Sequence, residues 1–179
     1  VTFDLVTYVH NHSELLWMST TTLLSRSAPA TAATSDLSFI LSKDQTVLWD
    51  VPEDTGRKYA TVSGDYNPIH IDAEYCKGTE FGRPLVNSIF TLGLVIGLSI
   101  QDTTLGTTVA NLGMSDTRFP KPLFYGDTVH ARTTIQDVRE SKSRPNAGIV
   151  TFLHQGFNQH GHEVCVTVRQ GLMLKRPAP

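Results

Sequence analysis

The sequence has little of what marks disulfide-rich or membrane-spanning proteins. Its 179 residues include two cysteines, Cys76 and Cys165, which are too few for a disulfide framework. We therefore expect buried or reduced thiols and a cytoplasmic location, with an organellar matrix as the alternative. The longest apolar run, from Ile89 to Ile100, is interrupted by Thr91 and Ser99. It is shorter than the about 20 residues that cross a bilayer, so we expect no membrane partner.

An excess of charge of one sign is also missing. Lysine and arginine number 15 against 17 acidic residues, which gives a formal net charge of −2 and a pI near 6.4. This balance gives no electrostatic reason to expect a nucleic acid as partner. His160 and His162 flank a glycine, but two imidazoles without a third ligand do not form a metal site, so we expect no metal.

The chain contains enough apolar residues for one domain with an appendage, since its hydrophobic content is 40%. Residues 1–26 form two runs rich in β-branched and aromatic residues, which predicts an N-terminal β-hairpin. Residues 27–45 are small, polar and aperiodic, which predicts a linker. The main domain is predicted to extend over 46–177.

The main domain begins with helical patterns. We predict helices at about 52–62, 72–77 and 87–101, with Asp50 and Asp72 as N-caps of the first two. The third helix is apolar nearly all round, which predicts that it is buried.

The second half of the main domain has strand patterns. We predict strands at 107–119, 127–141, 148–158 and 163–174. Short connections between long strands predict that consecutive strands are antiparallel neighbours. A buried helix followed by such strands predicts an α+β domain in which the sheet curls around the helix.

The segment SGDYNPIH at 63–70 is the most informative one. It places Asp65 and His70, two residue types that commonly transfer protons, five positions apart. Gly64 permits unusual backbone angles, and Asn67-Pro68 marks a turn. A bend brings both side chains to one pocket, whereas five extended residues span roughly 17 Å. The alternative is a surface loop with an Asx turn.

Residues 59–72, YATVSGDYNPIHID, closely resemble the signature of the MaoC-like, (R)-specific enoyl-CoA hydratases. Four downstream stretches resemble the mesaconyl-CoA and itaconyl-CoA hydratase-like branch: RPLVNSIFTLGLVIGLSI, TTLGTTVANLGMSDTRFPKPLFYGDT, RESKSRPNAGIV and LMLKRP. Together they cover about 46–177. The resemblance implies the hot-dog fold, an antiparallel sheet wrapped around a long buried helix.

The resemblance also bears on assembly. It implies a homodimer or higher homo-oligomer, or a pseudo-dimer in members with two repeats, in which two sheets join edge to edge. Residues 1–26 resemble the closing strands of the first repeat in double-hot-dog dehydratases. The chain would then be a fragment of such a protein, with the hairpin as a remnant of a preceding repeat, or a composite of two branches.

The reaction that the resemblance implies is reversible hydration of a trans-2-enoyl-CoA to an (R)-3-hydroxyacyl-CoA. The coenzyme A thioester is the substrate, and no cofactor is implied. Asp65 and His70 form one acid/base dyad whose individual roles stay open. Asn67 either holds the water or serves as an Asx-turn residue.

The predicted start of the apolar helix implies an oxyanion site. Many family members carry His-Gly there, and this chain carries Asn87 and Ser88. The donor is then a backbone N–H, the Ser88 hydroxyl or both, unless Ser88 is a plain N-cap. Arg83 is a candidate for binding a substrate carboxylate.

Three basic residues in one predicted hairpin, Arg139, Lys142 and Arg144, are candidates for binding the phosphates of coenzyme A. The alternative for these cations, and for Arg83, is a solvated surface charge.

We expect a short acyl group that is carboxylated, as in mesaconyl-CoA, or methyl-branched. Two alternative functions stay open, a non-catalytic acyl-CoA-binding hot-dog module and a hot-dog acyl-CoA thioesterase.

Overall fold

A computed structural model describes residues 42–44, 49–52 and 54–175. The hairpin predicted at 1–26 lies outside these residues, and so does the predicted linker except for 42–44, which form a strand. The helices are α1 Thr55–Ser63, α2 Pro68–Ile71, α3 Ala73–Cys76 and α4 Ser88–Thr103. The strands are β1 Ser42–Asp44, β2 Trp49–Asp50, β3 Thr108–Arg118, β4 Thr128–Glu140, β5 Ala147–Asn158 and β6 Glu163–Leu174.

The strands form one sheet in the order β1-β4-β5-β6-β3, and β2 also pairs with β4. All pairings are antiparallel. The prediction of neighbouring consecutive strands is confirmed for β4, β5 and β6 and is wrong for β3, which pairs with β6. The β3–β4 connection instead packs at the start of α4, where Val86 N–H donates to Leu123 O at 2.9 Å. The connection thereby crosses from β3, at one end of the sheet, to β4, near the other end.

Helix α4 confirms the predicted apolar helix and lies across β4, β5 and β6. Its buried stripe consists of Thr91, Val95, Ser99 and Thr103. The approach to the sheet is close, because a Cβ on Gly156 of β5 would overlap the Val95 side chain. The sheet therefore curls around the helix as predicted.

The opposite stripe of α4 departs from the prediction of complete burial. Ile89 is 61% exposed, and Gly93 and Gly97 are exposed as well. The sheet covers one side of the helix, so this stripe of the single chain faces solvent. No helix in the described part of the chain is long and apolar enough to span a membrane.

The first predicted helix is shorter than expected. Asp50 does not cap it, because Asp50 lies in β2, where its carboxylate accepts a 2.5 Å hydrogen bond from Thr128 Oγ1. Helix α1 begins at Thr55 instead. The predicted cap of α3 is confirmed, since Asp72 Oδ1 accepts from the N–H groups of Glu74 and Tyr75.

The buried apolar residues form two separate clusters. The first lies under the N-terminal half of α4 and comprises Val51, Val86, Val95, Leu123, Val129, Ala131, Val164 and Cys165. The second lies further along the strands and comprises Val150, Phe152 and Met173.

Candidate active site

Helix α1 delivers the chain to the SGDYNPIH segment. Gly64 ends the helix with a φ of 77°, and its N–H donates to Ala60 O at 2.8 Å. A residue with a Cβ is disfavoured in this left-handed conformation. The turn that follows leads into α2, which begins at Pro68, a residue suited to a first helical turn. The predicted bend is therefore built from Gly64 and the Asn67-Pro68 pair.

The carboxylate of Asp65 is held from two sides. Its Oδ1 accepts a hydrogen bond from Asn67 N–H at 3.2 Å, which is an Asx turn. Its Oδ2 accepts from Asn87 Nδ2 at 2.6 Å. The side chain remains 40% exposed, so a substrate and water can reach it.

Asn67 has a local structural contact. Its Oδ1 accepts from Ile69 N–H at 3.3 Å and caps α2. Of the two roles considered for Asn67, the turn-forming one therefore has a visible partner.

His70 is oriented by a backbone carbonyl. Its Nδ1 lies 2.9 Å from Leu85 O. A carbonyl oxygen only accepts hydrogen bonds, so Nδ1 carries the proton and Nε2 of the neutral ring carries the lone pair. Nε2 lies 3.7 Å from Asp65 Oδ2, and the side chain is 16% exposed. The structure thus brings the two predicted dyad members together.

The backbone of His70 is held by a tyrosine that sequence reasoning missed. Tyr125 donates from its hydroxyl to His70 O at 3.0 Å. Burial, followed by the nearby Cys76 thiol, raises the pKa of Tyr125 to about 12, so the phenol stays protonated and remains a donor. A Cβ on Gly56 of α1 would overlap that hydroxyl. No short-range pattern signals this contact, because it joins residues 55 positions apart.

The start of α4 faces the dyad. Asn87 is its N-cap, and Asn87 Oδ1 accepts from the N–H groups of Ile89 and Phe90. The N–H of Thr91 donates to Asn87 O. Ser88 is the first helical residue rather than the cap, and its N–H has no acceptor within the described ranges. One backbone donor at the positive end of α4 is therefore available to a ligand.

Arg83 lies beside this helix start but points toward a cleft. Its guanidinium lies 3.8 Å from the centroid of the Phe124 ring. The cleft has a volume of about 660 Å³ and is also lined by Lys121, Tyr125, His160 and His162.

The hairpin cations lie at the other end of the sheet. Arg139 is exposed in β4, and Lys142 and Arg144 are exposed in the turn that leads to β5. The last residue of β5, Asn158, lines the cleft near the dyad. Since β5 has 12 residues, the hairpin lies about 40 Å along the strand from that end. A single chain does not bring these cations to Asp65 and His70.

This arrangement can activate water. The 3.7 Å gap between Asp65 Oδ2 and His70 Nε2 is too long for a direct hydrogen bond and leaves both atoms able to contact one water molecule. A thiol nucleophile is disfavoured, because burial, followed by the charge of Asp72, raises the pKa of Cys76.

A family model described as the MaoC like domain matches residues 30–156. The chain is 37% identical over 110 residues to a mesaconyl-CoA hydratase from Cereibacter sphaeroides, covering 59% of this chain and 32% of that protein. It is 34% identical over 103 residues to the (R)-specific enoyl-CoA hydratase from Aeromonas caviae, covering 58% of this chain and 72% of that protein. The chain thus spans about a third of the length of that mesaconyl-CoA hydratase.

A solved structure shows the fold. A Mycobacterium tuberculosis protein with a double hot-dog fold superposes with a TM-score of 0.68 at 18% identity, covering 78% of this chain and 43% of that one. The predicted hot-dog fold is confirmed.

Proposed function

The chain belongs to the MaoC-like domain family, and we propose that it catalyses reversible hydration of a trans-2-enoyl-CoA to an (R)-3-hydroxyacyl-CoA. The observation that carries the proposal is the pair of Asp65 and His70. Nε2 of His70, which carries the lone pair when the ring is neutral, and Oδ2 of Asp65 lie 3.7 Å apart at the start of α4. A module that only binds acyl-CoA has no need of such a proton-transfer pair.

In the proposed reaction a water molecule lies against Asp65 and His70. Its oxygen bonds to C3 of the enoyl group while one of its protons passes to the dyad. The dyad returns a proton to C2, so that the net change is the addition of one water. A neutral imidazole suits this exchange because one ring nitrogen can accept a proton while the other keeps its own.

Negative charge develops on the thioester oxygen as C3 is attacked. We propose that Ser88 N–H stabilises it, since this N–H lies at the positive end of α4 and has no acceptor in the described segments. A donor placed in this way lowers a barrier by about 3 kcal/mol. The exposed Ser88 hydroxyl is a second donor at the same place.

We propose that the chain forms a homodimer through β3. This strand lies at one end of the sheet, and it exposes Val109, Leu112 and Met114 by 37%, 49% and 43%. Antiparallel pairing of two β3 strands about a two-fold axis perpendicular to the sheet covers both edges.

The same dimer gives the hairpin cations a role. The two-fold axis reverses strand direction, so the hairpin of one subunit lies at the same end of the joined sheet as the dyad of the other. We therefore propose that Arg139, Lys142 and Arg144 bind the coenzyme A phosphates of the opposite active site. Arg83 and Lys121 in the cleft are the second candidate, because the cleft is also lined by Tyr125, whose hydroxyl contacts His70 O of the same chain.

The proposed substrate carries a short acyl group that is methyl-branched or carboxylated. The mesaconyl-CoA hydratase relative supports this class. No cofactor is proposed. A reducing compartment such as the cytoplasm fits Cys76 and Cys165, which are both free and buried.

The test is the loss of enoyl absorbance with crotonyl-CoA and mesaconyl-CoA, with free thiol followed in parallel. Loss of absorbance without thiol release supports hydration. Thiol release without hydration identifies a thioesterase. Saturable binding without either reaction identifies a binding module.

A further inference from the structure

A layer of buried polar side chains divides the core between α4 and the sheet. On β4 and on β6 it separates the two apolar clusters. It consists of Ser99, Thr133, His154, Thr167 and Arg169, none of which is more than 6% exposed. His154 pairs in register with Thr133 on one side and Thr167 on the other. Residues paired in register project from the same face of a sheet, so these side chains share one face, the face that Gly156 turns to Val95. We call this set the polar layer.

Arg169 is the anomaly of the polar layer. It is 6% exposed, and its Nε and Nη2 have no hydrogen-bond partner in the described parts of the chain. Its guanidinium lies 4.9 Å from the centroid of the Phe152 ring. A buried cation without a counter-ion or acceptors is costly, so proteins pair such groups. Arg169 therefore has no carboxylate partner among the described residues.

The neighbours of Arg169 do not supply a negative charge. His154 is fully buried, and its Nδ1 contacts Thr133 Oγ1 at 3.0 Å. Burial, followed by the charge of Arg169, lowers the pKa of His154 to about 3, so the imidazole is neutral at pH 7. Its Nε2 has no partner within the described ranges. The imidazole is therefore a polar neighbour of Arg169 that carries no negative charge.

Two of the three hydroxyls of the polar layer have partners outside it. Ser99 donates to Ile96 O of its own helix at 2.6 Å, and Thr167 contacts Thr117 Oγ1 at 2.7 Å. The polar layer therefore combines one cation, a free imidazole nitrogen and no carboxylate among its five members.

We propose that the polar layer binds a carboxylate carried by the acyl group of the substrate, and that Arg169 anchors it. A planar guanidinium with free N–H groups matches a carboxylate, and one carboxylate neutralises its charge. The polar layer lies under the same helix whose start faces Asp65. The proposal rests on the proposed function and assigns the carboxylate to Arg169, whereas Arg83 faces the cleft.

The distance along α4 decides whether an acyl group as short as the one proposed above reaches Arg169 or whether a longer one is needed. Ser99 lies 11 positions after Ser88, which is about 16 Å along the helix axis. The long side chain of Arg169 reaches across part of this distance. The remaining distance can be determined with saturated acyl-CoAs of increasing length, compared with and without a terminal carboxylate.

The experiment measures equilibrium binding by calorimetry for three length-matched pairs. These are succinyl- and butyryl-CoA, adipyl- and hexanoyl-CoA, and suberyl- and octanoyl-CoA. In at least one pair we expect the carboxylated member to bind the wild type about tenfold more tightly. We expect Arg169→Met to abolish that ratio and Arg57→Met, at an exposed arginine of α1, to keep it. Equal or weaker binding of the carboxylated member in all three pairs would overturn the proposal.

A stability measurement separates a ligand site from a structural ion pair. Arg169→Met removes a buried cation that lacks acceptors, so we expect an unchanged or raised unfolding temperature without ligand. A markedly lowered temperature would mean that a carboxylate of the protein pairs with Arg169, and would also overturn the proposal.

The two proposals fail separately. Saturated acyl-CoAs are not hydrated, so the binding ratio does not depend on catalysis. Hydration of crotonyl-CoA without a preference for the carboxylated member of any pair would contradict the carboxylate site alone. Such a preference without hydration of any enoyl-CoA would contradict the proposed reaction but not the carboxylate site.

Discussion

Asn87 donates a 2.6 Å hydrogen bond from Nδ2 to Oδ2 of Asp65. The same side chain accepts from Ile89 and Phe90 through Oδ1 and so caps α4. One amide thereby fixes the proposed oxyanion donor and the proposed proton acceptor relative to each other. The Asp65 carboxylate is therefore positioned by the same side chain that caps α4.

Replacing Asn87 separates the two roles of its side chain. Asn87→Asp keeps an acceptor for the helix N–H groups but places a second carboxylate against Asp65. At neutral pH we expect the like charges to lower thermal stability and to reduce the kcat/KM for crotonyl-CoA about 100-fold, because they also disturb proton transfer. Asn87→Ala, the comparison variant, loses the cap and about 1 kcal/mol of unfolding free energy. Full activity in Asn87→Asp would show that the Asp65 contact has no role in the reaction.

Gly56 determines where the Tyr125 hydroxyl lies. Gly56→Ala improves helix propensity, yet its Cβ overlaps the hydroxyl that holds His70 O. We expect the overlap to dominate, with a loss of about 1–3 kcal/mol in unfolding free energy and lower activity.

The second change is Tyr125→Phe, which removes the nearest of the three overlapping atoms; His70 O and Tyr125 Cζ each lie 2.7 Å from the same Cβ position. A double-mutant cycle of kcat/KM and unfolding free energy is expected to show that the pair is less damaging than the sum of the single changes. Additive effects would mean that Gly56 acts independently of Tyr125.

Stability is expected to depend on the protonation of His154. Its pKa is about 3 in the folded protein and near 6.5 in the unfolded chain, so the unfolded chain binds the proton first. The contribution of His154 is therefore complete above pH 6.5 and is lost as the pH falls toward 3. The slope reaches about 1.4 kcal/mol per pH unit.

The measurement is denaturant unfolding between pH 7 and pH 4.5. His154→Gln is expected to flatten the acid side of the profile, with the same replacement of exposed His160 as control for loss of an imidazole. Identical acid slopes in wild type and His154→Gln would contradict the assignment.

Removal of the hairpin charges tests the coenzyme A proposal. Changing Arg139, Lys142 and Arg144 to Gln is expected to raise the KM for crotonyl-CoA about tenfold, because charge-assisted contacts to phosphate are lost. The KM for the crotonyl thioester of pantetheine, which lacks those phosphates, is expected to stay constant. If the pair Arg83→Gln and Lys121→Gln raises the KM and the hairpin variant does not, the phosphates lie in the cleft.

Most of the fold follows from local patterns in the sequence. The strands at 128–140, 147–158 and 163–174 appear within one residue of their predicted bounds, because alternation and turn residues are local signals. The pairing of β3 with β6 is not local. It depends on the packing of Leu123 against the start of α4, which no short-range pattern encodes.

The candidate site likewise has contacts that local sequence predicts and contacts between distant residues that it does not. Asp65 and His70 are predictable because five positions and a bend connect them. The contact of Asp65 with Asn87 spans 22 positions, and that of Tyr125 with His70 spans 55. The buried cation at Arg169 reads in sequence as an ordinary charged residue in a strand, and only the folded sheet shows that its donors lack acceptors.

The central claim is that Asp65 and His70 together transfer the protons of hydration. Its most direct test is the rate of crotonyl-CoA hydration by the wild type, Asp65→Asn and His70→Ala, with circular dichroism to verify folding. Both variants are expected to remain folded and to lose about 100-fold or more in kcat. Hydration by both folded variants at the wild-type rate would contradict the account.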